Sequence, residues 1–277
     1  CDSDEAVSCS ALHPALGAGM ATCQSNCMAF DVSACENQSV AYVPAGPFMM
    51  GCNESMDATC DEDEYDYHQV TLDAFVIDRY EVTAGDYRTW CLSTETCGFE
   101  SNHTSFLSND GYSTYHNYAR AERVDYPMNF VTWFEANDYC IAMGKRLPTE
   151  AEWEKTARGT DGRVYPWGFD VPTCERSVMN GWYQDPEDPN ASEAGWIVGD
   201  GCGKNRMWPV GSLPGGASPY GAEDMAGNAW EWVLDYYDAD YYQESPAANP
   251  TGPDEAQAEG ILRGGSFNRD PFFLRVS

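Results

Sequence analysis

Positive charge is scarce in this sequence: lysine and arginine number 15 against 45 aspartates and glutamates, a formal charge of −30 with a pI near 4.1. Such a field repels phosphate backbones and anionic headgroups, so it argues against nucleic-acid binding and polybasic membrane attachment, and it attracts cations. Long apolar runs are missing too; nothing approaches the ~20 consecutive apolar residues of a bilayer-spanning helix. Histidine is limited to His13, His68, His103 and His116, with no His-x-x-x-His pair and no serine-nucleophile motif nearby. Each therefore reads as a surface or packing residue rather than a base. No phosphate-cradling glycine loop or dinucleotide fingerprint occurs; Gly264-Gly265 sits in a strand-like motif with no helix after it.

What is present is enough for a core. The 277 residues weigh 30.7 kDa, 43% of them apolar and 13% aromatic, which fits one large domain with an appendage and excludes wholesale disorder. Twelve cysteines are scattered without the paired Cys-x-x-Cys spacing of a zinc module, and this favours disulfides in an exported chain. Short spacings invite bridges between Cys52 and Cys60 and between Cys91 and Cys97, and Cys174 with Cys202 would close a longer loop. Cys9, Cys23, Cys27 and Cys35 would make two more, leaving Cys1 and Cys140 over. Cys1 followed by Asp2-Ser3-Asp4-Glu5 looks like the start of a processed bacterial lipoprotein; the alternatives are an ordinary cysteine or a bridged one. The expected location is the bacterial outer membrane or cell surface, or the extracellular space, with a lipid on Cys1 as the only membrane attachment.

Along the chain, residues 1–41 read as a polar, Cys-rich arm and residues 42–277 as the domain. Tyr42 to Gly51 alternates short apolar runs with turn residues, as strand–turn structure does. Asp57 to Asp66 lacks the central glycine of an EF-hand and reads as a solvated acidic loop. Val70 to Ile77 predicts one strand, and Thr83 through Cys91 the opening of a helix. Thr132-x-x-Glu135 and Thr149-x-x-Glu152 are capping boxes that mark two helix starts. The first helix would bury Ala136, Tyr139, Cys140 and Met143 and stop near Gly144; the second would bury Ala151, Trp153 and Ala157 and stop near Gly159. From Gly159 to Gly221 the chain is rich in Gly, Pro, Asn and Asp, a long irregular region of the kind that bridges or ions hold. Sequons at Asn37, Asn53, Asn102 and Asn190 matter only in a eukaryotic secretory route.

Six motifs follow in order: Pro44-Ala45-Gly46-x-Phe48-x-Met50-Gly51, Tyr80-Glu81-Val82-Thr83, Arg146 to Glu154, Tyr165-Pro166-Trp167-Gly168, Asp224 to Trp232, and Arg263-Gly264-Gly265-Ser266-Phe267. Together they resemble the formylglycine-generating enzyme, or sulfatase-modifying factor, superfamily. The resemblance implies an irregular α+β domain related to C-type lectins, low in regular secondary structure and stabilised by disulfides and calcium. Oxidase members hold copper with two cysteines just after the Arg-Gly-Gly-Ser strand. Laid onto this chain those positions are Arg269 and Leu274, and no cysteine follows Cys202. Soft Cu(I) wants thiolate, and a guanidinium adds a fixed positive charge, so no copper is expected. Asn268, Asp270, Pro271 and the Leu274-Arg275 pair instead resemble the non-oxidase branch, whose members are binding scaffolds, surface lipoproteins and parts of secretion or adhesion machinery. In the family the counterpart of Cys140 bridges to a cysteine beside a Gly-Phe-Arg ending; Ser277 stops short of it, which implies that the carboxy-terminal end of the domain is missing here.

The family's calcium site would use a side-chain oxygen of Asp224, the carbonyls of Gly227 and Ala229, and the carboxylate of Glu231. Oxygen-only ligation with two carboxylates suits Ca²⁺, and an extended ribbon would turn residues 227, 229 and 231 to one side. The plainer alternative makes Glu231 an ion-pair partner. A second family site falls near Ser177 and Val178, with no complete ligand set. The expected function is an exported, lipid-anchored, non-catalytic calcium-binding domain, a binding or structural subunit of a surface assembly with a protein or glycan partner. The alternative is a formylglycine-generating oxidase acting on a sulfatase cysteine. Tyr236, Tyr237, Tyr241 and Tyr242 are either interface or packing.

Overall fold

The structure, a computed structural model, describes residues 6–23, 30–32, 34–35, 37–57, 59–94, 97, 116–180, 202, 206–253 and 259–277. Its strands come as small antiparallel groups. In the arm, β1 (Val7–Ser8), β2 (Met20–Cys23) and β3 (Phe30–Asp31) form one sheet. In the domain, β4 (Val40–Val43), β5 (Gly46–Met50), β6 (His68–Leu72) and β7 (Phe75–Asp78) pair as β4 with β7 and β5 with β6. Farther on, β8 (Glu231–Tyr236) pairs with β9 (Gly260–Arg263). Among the described residues the helices are α1 (Cys9–Leu12), α2 (Ala84–Ser93), α3 (Trp133–Ala142), α4 (Glu150–Arg158) and α5 (Tyr241–Glu244). This is the irregular α+β architecture that the resemblance implies.

Local chemistry accounts for the helix starts. Thr83 caps α2 by accepting from the Asp86 amide at 3.0 Å. Both expected capping boxes form: Glu135 accepts from the Thr132 amide and Glu152 from the Thr149 amide, each at 2.9 Å. Gly159 closes α4 at φ +70°. Of the expected α3 face, Tyr139 is buried and Ala136 and Cys140 are half-buried, but Met143 is exposed because it lies past the last turn, at the cap.

The single strand expected over Val70 to Ile77 is two. Asp73 leaves the ladder, its amide donating to Asn249 Oδ1 at 2.9 Å and its carboxylate accepting from Asn249 Nδ2 at 3.1 Å. Residues before that break pair with β5, those after it with β4. The strand expected at Gly264-Gly265 also ends early. Gly264 and Gly265 have φ of +89° and +74°, and a Cβ on Gly265 would meet the Phe273 carbonyl at 2.5 Å.

Helix α4 is the centre of the domain. It buries Ala151, Trp153 and Ala157 as its pattern predicts; Trp153 packs with Ala41, Ala222, Met225, Val233 and Val276. Its charged side is buried as well, which hydrophobic periodicity cannot show. Glu154 accepts from Arg263 at 3.0 Å and from the Gly51 amide at 2.9 Å, and pairs with Arg158 at 3.3 Å. Glu150 pairs with Arg263 at 3.2 Å, and Lys155 Nζ donates to the carbonyls of Pro44 and Gly46, both at 2.8 Å. Arg263 adds a 2.6 Å bond to the Val276 carbonyl and lies 5.1 Å from the Trp153 ring centre.

Bridges join Cys9 to Cys35, Cys52 to Cys60, Cys91 to Cys97 and Cys174 to Cys202. Cys140 is a free, half-buried thiol. Cys1, Cys27, His103, Asn102 and Asn190 lie outside the described residues, and so does the Cys23 side chain.

Removing Arg263 strands two carboxylates in the core. Burial, reinforced by Asp235 and Glu154, already outweighs Arg263 and holds Glu150 at about 7. A raised carboxyl favours the folded state below its ordinary value and loses that contribution as pH rises through about 7. Urea unfolding should therefore show Arg263→Ala costing about 3–5 kcal/mol at pH 7.5. The deficit should shrink at pH 5, where Glu150 is protonated.

Candidate functional site

The run from Asp224 to Ala229 is a sequence of tight turns, and only Glu231 begins a strand. Asp224, Gly227 and Asn228 have φ of +60°, +86° and +59°, so the extended ribbon expected for 227–231 does not form. Asp and Asn are the side chains that tolerate this region. Gly227 has no alternative: a Cβ there would collide with Ser177 Oγ and meet the Val178 carbonyl at 2.5 Å.

Asn228 organises the loop. Its amide nitrogen donates to Glu81 Oε2 at 2.6 Å and to the Trp208 carbonyl at 3.3 Å, while its Oδ1 accepts from the Trp208 amide at 2.9 Å. Its backbone donates to the Val178 carbonyl at 2.8 Å and accepts from the Phe267 amide at 2.9 Å. The other Glu81 oxygen takes the Ala229 amide at 2.9 Å, and Ser177 Oγ donates to the Ala226 carbonyl at 2.6 Å. Ser177 and Val178, where a second cation site was considered, are thus engaged in bracing this loop. Most of the 190–205 stretch that would complete such a site lies outside the described residues. The roles of Asn228 and Glu81 went unread in the sequence; the signal was the motif Tyr80-Glu81-Val82-Thr83, a carboxylate two residues before a helix cap.

The four sequence-predicted ligands occupy this one loop and its exit. Asp224 uses Oδ2 to accept from the Gly211 amide at 2.6 Å, and Glu231 uses Oε2 to accept from Trp153 Nε1 at 2.8 Å, so each has its second oxygen to offer. Among the described residues no donor reaches the carbonyls of Gly227 and Ala229, although both residues are buried. Among the described residues no cationic side chain pairs with Asp224 or Glu231. Burial raises Asp224 to about 6, and burial with the Asp224 charge raises Glu231 to about 7. Glu81 is pushed well above the usual carboxylate range by burial and by the same two neighbours. Carboxylate and carbonyl oxygens are the ligand chemistry that a hard divalent cation takes, so these four residues are of the type that fits one. Such an ion would relieve the repulsion that the protein's own side chains leave unopposed.

Beyond β9, Asp270 caps a 3₁₀ turn, Pro271–Leu274, by accepting from the Phe272 amide at 2.7 Å. Arg269 is exposed and lies 5.1 Å from the Phe273 ring centre. Leu274 is fully buried against Met179 and Ala226, with Tyr165, Trp167 and Cys202 around them. Cys202 is bridged, and the free thiol of Cys140 belongs to another cluster, with Tyr87, Cys91, Tyr118 and Tyr139. Burial, followed by the Asp78 charge, raises that thiol to about 11, which disfavours thiolate.

The acidic loop expected to be solvated turns inward at its ends. Arg275, itself buried, makes a forked pair with Glu64 at 2.7 and 2.8 Å and reaches Asp57 at 3.3 Å. Its guanidinium lies 4.3 Å from the Phe272 ring centre.

A disulfide-stapled domain of short strand pairs, with a tight-turned oxygen-rich loop opening into β8 and a ring-walled turn after β9, defines the formylglycine-generating-enzyme type of fold. The sulfatase-modifying factor enzyme 1-like domain matches residues 28–277, and the chain belongs to that family. It is similar to the formylglycine-generating enzyme of Bos taurus, 29% identical over 255 residues, covering 81% of this chain and 64% of that one. It thus spans less than two thirds of that relative's length. It is also similar to the inactive C-alpha-formylglycine-generating enzyme 2 of Bos taurus, 29% identical over 231 residues, covering 73% and 72%. Among solved structures, PvdO from Pseudomonas aeruginosa superposes with a TM-score of 0.65 at 24% identity, covering 86% of this chain and 85% of that one, a likeness of fold.

Substituting Gly227 by alanine should force the loop off Ser177 and Val178. Thermal unfolding should report a loss of about 1–3 kcal/mol, from the disfavoured backbone region alone. Asn228→Ala, which leaves Glu81 short of a donor, should cost a similar amount.

Proposed function

We propose that this chain is a non-catalytic, calcium-stabilised binding domain, exported to a bacterial cell surface or to the extracellular space. It serves as a binding or structural subunit of a larger assembly, with a protein or glycan as partner. The observation that carries the reading is the pair Arg269 and Leu274. Where the oxidases are expected to present two thiolates, this chain has an exposed guanidinium over Phe273 and a fully buried aliphatic side chain. Neither offers a soft ligand to Cu(I). The inactive relative in cattle is as similar in sequence as the active one, so family membership is compatible with either role.

Calcium is the cofactor of this reading, with Asp224, Gly227, Ala229 and Glu231 as the residues that hold it. Bound there, the ion would supply structural cross-linking between the start of β8 and the turns before it.

The second reading, a formylglycine-generating oxidase, is favoured by the similarity to the cattle enzyme. Incubation with a sulfatase-type cysteine peptide, copper and oxygen separates the two: the expected result is unchanged peptide, and formylglycine product would overturn the scaffold role.

Calorimetric titration should find calcium binding that weakens as pH drops through about 7 and then about 6, since Glu231 and Asp224 must lose their protons to ligate. Saturating calcium at a hundredfold excess over Kd should add about 2.7 kcal/mol to the unfolding free energy. Glu231→Gln should remove most of that gain.

A further inference from the structure

The four tyrosines near β8 have different environments. Tyr236 packs on Trp133 with ring centres 5.3 Å apart, and Tyr242 closes the apolar cluster of Phe48, Met50, Val70 and Leu72. Tyr237 does neither. It is 41% exposed, and its hydroxyl donates to Asp63 Oδ2 at 2.9 Å. It stands in a cleft of about 370 Å³ between the acidic loop, the β8–β9 ribbon and the Pro271–Leu274 turn.

The cleft combines rings with carboxylates. Trp230, Phe272 and Phe273 line it, Trp230 meeting Phe273 edge-on at 6.0 Å. Asp61, Asp63, Asp238 and Glu259 line it too, all exposed. Among the described residues none of these four carboxylates has an ion-pair partner. The two arginines of the cleft are already engaged, Arg263 by Glu150 and Glu154 and Arg275 by Glu64 and Asp57. Tyr237 brings three of the four together: its hydroxyl holds Asp63, its amide donates to the Glu259 carbonyl at 3.0 Å, and Asp238 follows it in the chain.

The spacing argues against a metal ion. Among the described residues the only three metal-ligating side chains with ligand atoms within 4.8 Å of one another are Cys52, Cys60 and Glu64, and both cysteines are bridged. Unpaired carboxylates spread over a ring-lined cleft suit a cation with reach. The charged end gains Coulomb attraction and contact with ring faces, and the alkyl stem covers apolar surface.

We infer that this cleft binds an aliphatic ammonium group, such as the lysine side chain of a partner protein, with Asp63, Asp238 and Glu259 as the charge-bearing residues and Tyr237 as their platform. The inference rests on the binding role proposed above and names the chemistry of its partner.

Titration calorimetry of the full chain with a blocked tetralysine peptide in calcium buffer tests it. The peptide should bind, its affinity falling several-fold between ~50 and ~200 mM salt, and the same peptide acetylated on its side chains should not bind. Asp63→Asn with Asp238→Asn should weaken binding at least about fivefold, whereas Asp138→Asn with Glu175→Gln, an equal charge change on exposed residues not among those lining the cleft, should leave it nearly unchanged. Circular dichroism melting checks that both variants fold. Equal losses from the two double variants would reduce the effect to the general negative field and overturn the inference, as would binding of the acetylated peptide or no binding at all. Spermidine binding alongside tetralysine marks a site for ammonium groups in general, and tetralysine alone marks a protein partner; either supports the assignment. Formylglycine production by the same preparation would defeat the binding role itself, whereas its absence together with absent ammonium binding defeats only this inference.

Discussion

One fully buried carboxylate organises the domain. Glu154 receives Arg263 from β9, Arg158 from its own helix and the backbone amide of Gly51 at the end of β5. Three segments remote in sequence meet at one charge. Placing an anion in the interior is costly unless its partners are complete, and here they are. The apolar core around Trp153 adjoins these charges on the same helix, with Arg263 over the Trp153 ring, so one element carries both the packing and the register of its neighbours. The strand pairs are short and separate; in place of a continuous sheet, the hydrogen bonds and ion pairs of α4 connect them.

That arrangement reaches the oxygen-rich loop through an indole. Trp153 is fully buried in the core, yet its indole nitrogen donates to Glu231 at the start of β8. Asn228 and Glu81 hold the last turn of the loop, and the Gly211 amide holds Asp224 at its start. The loop is therefore braced by protein contacts at its start, its last turn and its exit.

What the sequence revealed divides along the range of the interactions. Capping boxes at Thr132 and Thr149 were readable because every participating group lies within three residues. Three of the bridges, Cys52 to Cys60, Cys91 to Cys97 and Cys174 to Cys202, matched their spacing for a similar reason, since loops of modest length close easily, whereas the pairing of Cys9 with Cys35 was left open. The break at Asp73 was not readable, since Asn249 lies 176 residues away. Nor were the buried charges of α4, because Arg263 is 109 residues from Glu154 and nothing in a helical pattern announces it. Asp57 and Glu64 look like solvated acids until Arg275 arrives from the far end of the chain. Order among the six motifs carried the family, while the left-handed turns that shape the loop emerge only in three dimensions.

The bridge from Cys52 to Cys60 has a practical consequence. It closes eight residues of sequence separation and so confines Asp57 and Glu64, which flank its second half, near the guanidinium of Arg275. Without that constraint, the loop's cluster of negative charges would repel itself apart and leave a buried cation uncompensated. Reducing that bridge would thus loosen the turn that carries Arg275 along with the loop that the cysteines enclose.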